Sequence, residues 1–172
     1  MRWEALFRDL EAQASAQEDE QWMQEVGERA RGERLSVSIA ARIAAARGCA
    51  IRVVLRDGSR AHGEVLDSGR EWVLLADGGR QRLLALGAVS MVEALPRRAD
   101  RLTAVESRLT IARTLRALSR ERSRVTVRAG VELSGVIVAV GEDHLDLVTD
   151  SGAAATVPLT AILEVVSGEA SG

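Results

Sequence analysis

The sequence predicts a mainly β protein with helices: two tandem five-stranded barrels, each preceded by a helix, plus an N-terminal helix. Three observations carry this expectation. The chain matches itself when shifted by 72 residues. Within both copies glycines recur at intervals of five and six residues, as Gly58, Gly63 and Gly69 and as Gly130, Gly135 and Gly141. Each copy divides into short β-rich runs separated by glycine turns, the pattern of small all-β domains.

In the repeat, "LRDGSRAHGEVLDSG" (Leu55 to Gly69) falls on "VRAGVELSGVIVAVG" (Val127 to Gly141). Arg52/Arg124, Val53/Val125, Arg56/Arg128 and Leu75/Leu147 also match. One added residue in the second copy then moves the offset to 73, which aligns Gly79/Gly152, Leu86/Leu159, Ala88/Ala161 and Val92/Val165. Upstream, Ile39, Ala40 and Ile43 align with Ile111, Ala112 and Leu115. The expected organisation is an N-terminal helix over 1–34, a first unit over 36–95 and a linker over 96–101. A second unit over 102–167 and a disordered tail over 168–172 complete it.

Each element follows from local composition. In the N-terminal segment, Trp3, Phe7 and Leu10 lie on one helical stripe that Trp22 extends, which suits packing on the barrels or a partner or oligomer contact. The Ala-rich "SIAARIAAAR" reads as a helix stopped by Gly48. Then follow "IRVVLR", "RAHGEVLD", "EWVLLA", "RQRLLAL" and "SMVEAL" as five strands. Gly58 and Gly130 suit hairpin turns. Gly63 and Gly135 fall inside a strand, where glycine marks a bulge or a sharp bend, as a strand closing into a barrel requires.

Composition narrows the function classes. The opening residues lack the apolar core of a signal peptide, and no apolar run is long enough to span a bilayer, so a cytoplasmic protein is expected. All 23 basic residues are Arg. The net charge of −2 is unevenly spread: residues 96–128 hold ten Arg and three acids, whereas 129–172 hold seven acids and no Arg. A concentrated basic segment of this kind admits a polyanionic partner. On a helix, Arg113, Arg116 and Arg120 share one face, opposite Ile111, Leu115 and Leu118, with Arg97, Arg98, Arg122 and Arg124 nearby in sequence. Arg suits phosphate through bidentate hydrogen bonds. The same arginines could instead pair with the acidic segments. The equivalent positions of the first unit are Ala41, Ala44 and Gly48, so only one copy carries the stripe.

Other chemistry is sparse. There is no nucleophile elbow, phosphate-binding loop or dinucleotide fingerprint, and no enzymatic activity or cofactor is expected. His62, His144 and the single Cys49 do not form a metal-ligand cluster. Cys49, just before the first strand, is expected to be a buried or half-buried thiol. Glu142, Asp143 and Asp146 read as a solvated turn.

A helix followed by a five-stranded barrel resembles the SH3-like Sm fold, and the second unit resembles its Hfq-like branch. "ALSRERSRVTVRAGVELSGVIVAVGEDHLDLV" (Ala117 to Val148) and "VPLTAILEVV" (Val157 to Val166) carry the likeness. The opening "MRWEALFRDLEAQ" resembles a group of actinobacterial proteins of this size. The likeness to the Hfq-like branch implies RNA binding. Its uridine-pocket pairs fall here on Val140-Gly141 and Leu159-Thr160, and in the first unit on Ser68-Gly69 and Leu86-Gly87, so they are not kept. The Arg-rich rim of that family falls on Arg120, Glu121 and Arg122, which are kept in kind. The function expected is a non-enzymatic RNA-associated regulator acting through this rim. The alternative is a protein-interaction scaffold whose RNA pocket is lost. Expected partners are RNA and further copies of the chain, the latter through barrel edge strands or the N-terminal helix.

Overall fold

The structure is a computed structural model that describes residues 37–167. Ten strands account for nearly half of it. In the first repeat they are β1 (Ala50–Leu55), β2 (Arg60–Ser68), β3 (Trp72–Asp77), β4 (Arg80–Ala85) and β5 (Val89–Glu93). The second repeat supplies β6 (Arg124–Arg128), β7 (Glu132–Val140), β8 (His144–Thr149), β9 (Ala154–Pro158) and β10 (Glu164–Ser167). Helix α1 (Ile39–Ala44) precedes the first set, and α2 (Ala104–Arg108) and α3 (Ile111–Glu121) precede the second. The expected N-terminal helix, with Trp3, Phe7, Leu10 and Trp22, and the expected tail lie outside the described residues.

The two separate barrels do not form. All ten strands join one open antiparallel sheet in the order β5-β1-β2-β3-β4-β10-β6-β7-β8-β9. Closing each repeat on itself would need β4 against β5 and β9 against β10. The free side of β4 is instead taken by β10, with Leu83 opposite Val165 and Gln81 opposite Ser167. Two cores explain why β4 stays in this seam. Leu84 and Leu163 pack with Ile43, Ile51, Val53 and Leu75. Their chain neighbours Leu83 and Ile162 pack in a second core with Leu115, Val127, Ile137 and Leu145. Both sides of the seam are therefore buried, and each such leucine contributes about 2 kcal/mol.

The repeats agree elsewhere except in the first hairpin, where β6 is slid by two residues, so that Gly135 lies opposite Val125 while Gly63 lies opposite Ile51. Ser38 caps α1 by accepting from the Ala41 N–H at 3.1 Å, and the equivalent Thr110 caps α3 from Arg113 at 3.3 Å. Both second strands bulge at the same place, at Leu66 and at Val138. Gly63 and Gly135 owe their identity to their neighbours. A Cβ at either would run into a main-chain carbonyl, that of Ala76 in β3 or of Val148 in β8. Gly69 and Gly141 lie under aromatic rings: a Cβ there would meet Trp72 Nε1 at 2.6 Å or His144 Cε1 at 2.5 Å. Trp72 and His144 are themselves repeat equivalents.

The linker is tied down. Arg42 donates from Nε to the Pro96 carbonyl at 2.8 Å, and the Asp100 N–H donates to Ala41. A capping box between Thr103 and Glu106 starts α2. Arg47 reaches the Glu106 carboxylate at 2.5 Å. The Thr103 N–H, followed by Arg47, holds the Glu106 carboxyl below its ordinary value.

Candidate nucleic-acid interface

Helix α3 is amphipathic, and its sequence dictates which side shows. Ile111, Ala112 and Leu115 are buried, with Leu118 packed beside them against the second core. Arg113, Ala117, Arg120 and Glu121 are exposed on the other side. The rise of about 1.5 Å per residue puts Arg113 and Arg120 roughly 10 Å apart along one face. The helix ends at Arg122, which is left-handed with φ of 50°. That conformation usually falls to glycine, and it costs a side chain about 1 kcal/mol.

Arg116 does not join the exposed face. Its Nε donates to the Val140 carbonyl at 3.1 Å and its Nη2 to the Gly141 carbonyl at 2.7 Å, so it is half-buried and fastens α3 to the end of β7. Arg124, at the start of β6, pairs with Asp150. Arg97 and Arg98 belong to the linker beside α1, where Arg98 donates to the Ala45 carbonyl at 3.0 Å. The structure thus brings Arg113, Arg120 and Arg122 onto α3 and its cap, and sets the other four candidates apart from them.

Pairing with the acidic segment accounts for only part of the arginine excess. Of the ten arginines in 96–128, Arg124 and Arg128 have carboxylates within 4.0 Å. Among the described residues no carboxylate lies that close to Arg113, Arg120 or Arg122. The described residues hold 18 Arg against 15 Asp and Glu, a formal excess of +3 before histidine is counted. Among the described residues, exposed arginines without a carboxylate within 4.0 Å lie on α3, its cap and the linker, and also at Arg60, Arg70 and Arg80 of the first repeat.

Beside the start of α3 lies a cleft of about 750 Å³ between the two repeats. Its floor is apolar, from Ala88, Ile111, Ala112 and Leu159, and Arg56, Arg116, Glu71, Glu142 and Asp143 line it. Arg56 donates to the Thr160 carbonyl at 2.8 Å. The two guanidinium groups are thus anchored on neutral carbonyl oxygens. Arg56 was not among the sequence candidates, and its match to Arg128 is one of sequence only, since in the sheet register Arg128 takes the place of Val54.

Next to this cleft, His144 hydrogen-bonds Asp143 at 2.8 Å. That bond holds the imidazole above its ordinary value and the Asp143 carboxyl below its own. Its counterpart Trp72 is buried and donates from Nε1 to the Leu109 carbonyl at 2.8 Å. Cys49 is exposed rather than buried. Among the described residues, no group of three or more His, Cys, Asp or Glu could hold a metal ion, and no helix is long and apolar enough to cross a membrane.

No protein-family model matches the chain, and no curated protein is similar to it.

Proposed function

We propose that the protein is a non-enzymatic, cytoplasmic RNA-associated module that grips the RNA backbone through Arg113, Arg120 and Arg122. The observation that supports this reading is the exposure of these three guanidinium groups with no carboxylate of the described residues in reach. Phosphate is the anion their planar forks fit best. The left-handed Arg122 adds weight, because unfavourable backbone conformations gather at functional positions. Such contacts position a nucleic acid without reading its bases, and α3 offers no exposed aromatic ring for base stacking.

Titration of a labelled single-stranded RNA at several salt concentrations tests the reading. Each phosphate contact contributes a log–log slope of about −0.7 for single strands. Replacing Arg113 and Arg120 together by Ala should flatten the slope by about 1.4 and weaken all sequences alike. Arg122→Gly should lower affinity while raising stability by about 1 kcal/mol, since glycine relieves the left-handed cap. Arg124→Ala, which loses only a partnered guanidinium, should leave the slope nearly unchanged. Absence of binding by the unmodified chain at low salt removes the RNA reading and leaves a protein-interaction scaffold. Of the two routes expected for self-association, the N-terminal stripe lies outside the described residues, and among the described residues the sheet ends at β5 and at β9.

A further inference from the structure

The arginines of α3 do not stand alone. Just before that helix the chain runs against the first repeat. Trp72 Nε1 donates to the Leu109 carbonyl at 2.8 Å, and a Cβ on Gly69 would lie 3.1 Å from the same oxygen. Arg70 follows Gly69 in the turn between β2 and β3, and Arg108 precedes Leu109 at the end of α2. Each is one Cα step, about 3.8 Å, from this contact. The Thr110 N–H donates to the Arg108 carbonyl at 3.1 Å, and the Thr110 side chain accepts from the Arg113 N–H at 3.3 Å. Arg70, Arg108 and Arg113 are thereby gathered around one junction of main chain, with Arg120 and Arg122 further along α3.

Arg70 and Arg108 share the setting of the α3 arginines. Both are exposed, and no carboxylate of the described residues lies within 4.0 Å of either. The cleft beside α3 offers a polyanion less. Three carboxylates line it, those of Glu71, Glu142 and Asp143, against two guanidinium groups already bonded to carbonyls. The repeat makes the contrast sharp, because the position of Arg70 in the first copy is held by Glu142 in the second.

We propose that the RNA contact continues from α3 over the junction onto the first repeat, with Arg108 and Arg70 as two further phosphate-binding residues. This rests on the reading of Arg113, Arg120 and Arg122 as RNA contacts, and it makes the interface a property of both repeats. Contacts of this kind set where a strand runs without reading its bases.

Salt titration of a labelled single-stranded RNA tests the extension, with a control that removes equal charge elsewhere. Arg60 and Arg80 are also exposed with no carboxylate in reach among the described residues. Arg60 opens β2, eight residues or roughly 25 Å along the strand from Ser68 at the junction end. Arg80 opens β4, five residues or roughly 17 Å from Ala85, which lies opposite Trp72. Replacing Arg70 and Arg108 together by Ala should flatten the log–log slope by about 1.4. Replacing Arg60 and Arg80 together by Ala should leave it unchanged. All four side chains are exposed, so both double variants should melt with the unmodified chain. If the Arg70/Arg108 variant keeps the full slope while the Arg113/Arg120 variant loses its share, the extension is overturned and the α3 contact stands. Equal flattening by the two double variants reveals a general charge effect and overturns the extension as well. No binding by the unmodified chain at low salt removes both readings together.

Discussion

Met91 and Glu164 hold equivalent positions in the fifth strands of the two repeats, in opposite surroundings. Met91 is 47% exposed at the sheet edge, whereas Glu164 is 1% exposed at its centre. The carboxylate survives there because Arg82 reaches one oxygen at 3.0 Å and Arg128 the other at 2.7 Å. Each arginine is held in turn, Arg82 by Asp77 at 2.9 Å and Arg128 by Asp57 at 3.0 Å. The Glu164 bond raises the Arg128 pKa. The pair of positions shows that duplication left two copies of one strand, and that its neighbours then decided its chemistry. Next to a second sheet half it takes a buried charge that discriminates between registers, since a slipped strand would leave that charge without its arginines. Facing solvent, it needs no charge at all.

The largest effect should come from breaking the seam. Glu164→Ala leaves two half-buried guanidinium groups facing each other across β10. Removing one partner of a buried pair costs about 3–5 kcal/mol, and the remaining carboxylates on Asp57 and Asp77 should hold this case near 3 kcal/mol. Met91→Glu, the mirror change at the edge, should shift stability by less than about 0.5 kcal/mol. Urea unfolding of both variants measures the contrast, and equal losses would mean the two positions are not differently used.

The in-strand glycines should behave alike. Gly63→Ala and Gly135→Ala each drive a methyl into a neighbouring strand's carbonyl, which cannot swing aside as a side chain would. Each should cost about 2–3 kcal/mol. A difference above about 1 kcal/mol between them, seen in the same unfolding experiment, would show that the two second strands are not packed equivalently.

The ring-covered glycines should differ. Trp72 is buried and fastened to Leu109, so Gly69→Ala should cost about 1–2 kcal/mol. His144 is half-exposed and can turn outward, so Gly141→Ala should cost less than about 0.5 kcal/mol. Thermal melts that reverse this order would place His144 in a more rigid setting than its exposure implies.

The smallest effect is the titration of His144. Its pKa is raised chiefly by the hydrogen bond to Asp143, with Asp146 adding to it. A raised folded value means that the contribution to stability is full below the ordinary histidine value near 6.5 and fades as pH rises through the folded value. Following the imidazole by NMR should give a midpoint above 6.5 that falls in Asp143→Asn. An unchanged midpoint in that variant would assign the shift to Asp146 instead.

Much of the local structure was legible. The repeat located ten strands through alternating apolar residues and turn glycines, and the Ala-rich run before Gly48 showed α1. The Arg113/Arg120 face of α3 could be drawn on a helical wheel, because burial of Ile111 and Leu115 follows from period alone. Arg116 could not be separated from that face, since its partners, the carbonyls of Val140 and Gly141, are 24 and 25 residues away. Its long side chain bends toward acceptors that no helical pattern displays. One overlooked clue to the seam was present: Leu83-Leu84 and Ile162-Leu163 break the alternation of a one-sided strand, as strands covered on both faces do.

By itself, then, the sequence determined the duplication, the succession of strands along the chain, the helix α1 stopped before Gly48 and the charge on α3, all of which depend on patterns of residue type along the chain. The tertiary structure alone decided that β4 meets β10 rather than β5. Alternation states which face of a strand is buried but carries no label for the strand beside it. Only the two packed cores and the buried Glu164 between its arginines make that choice.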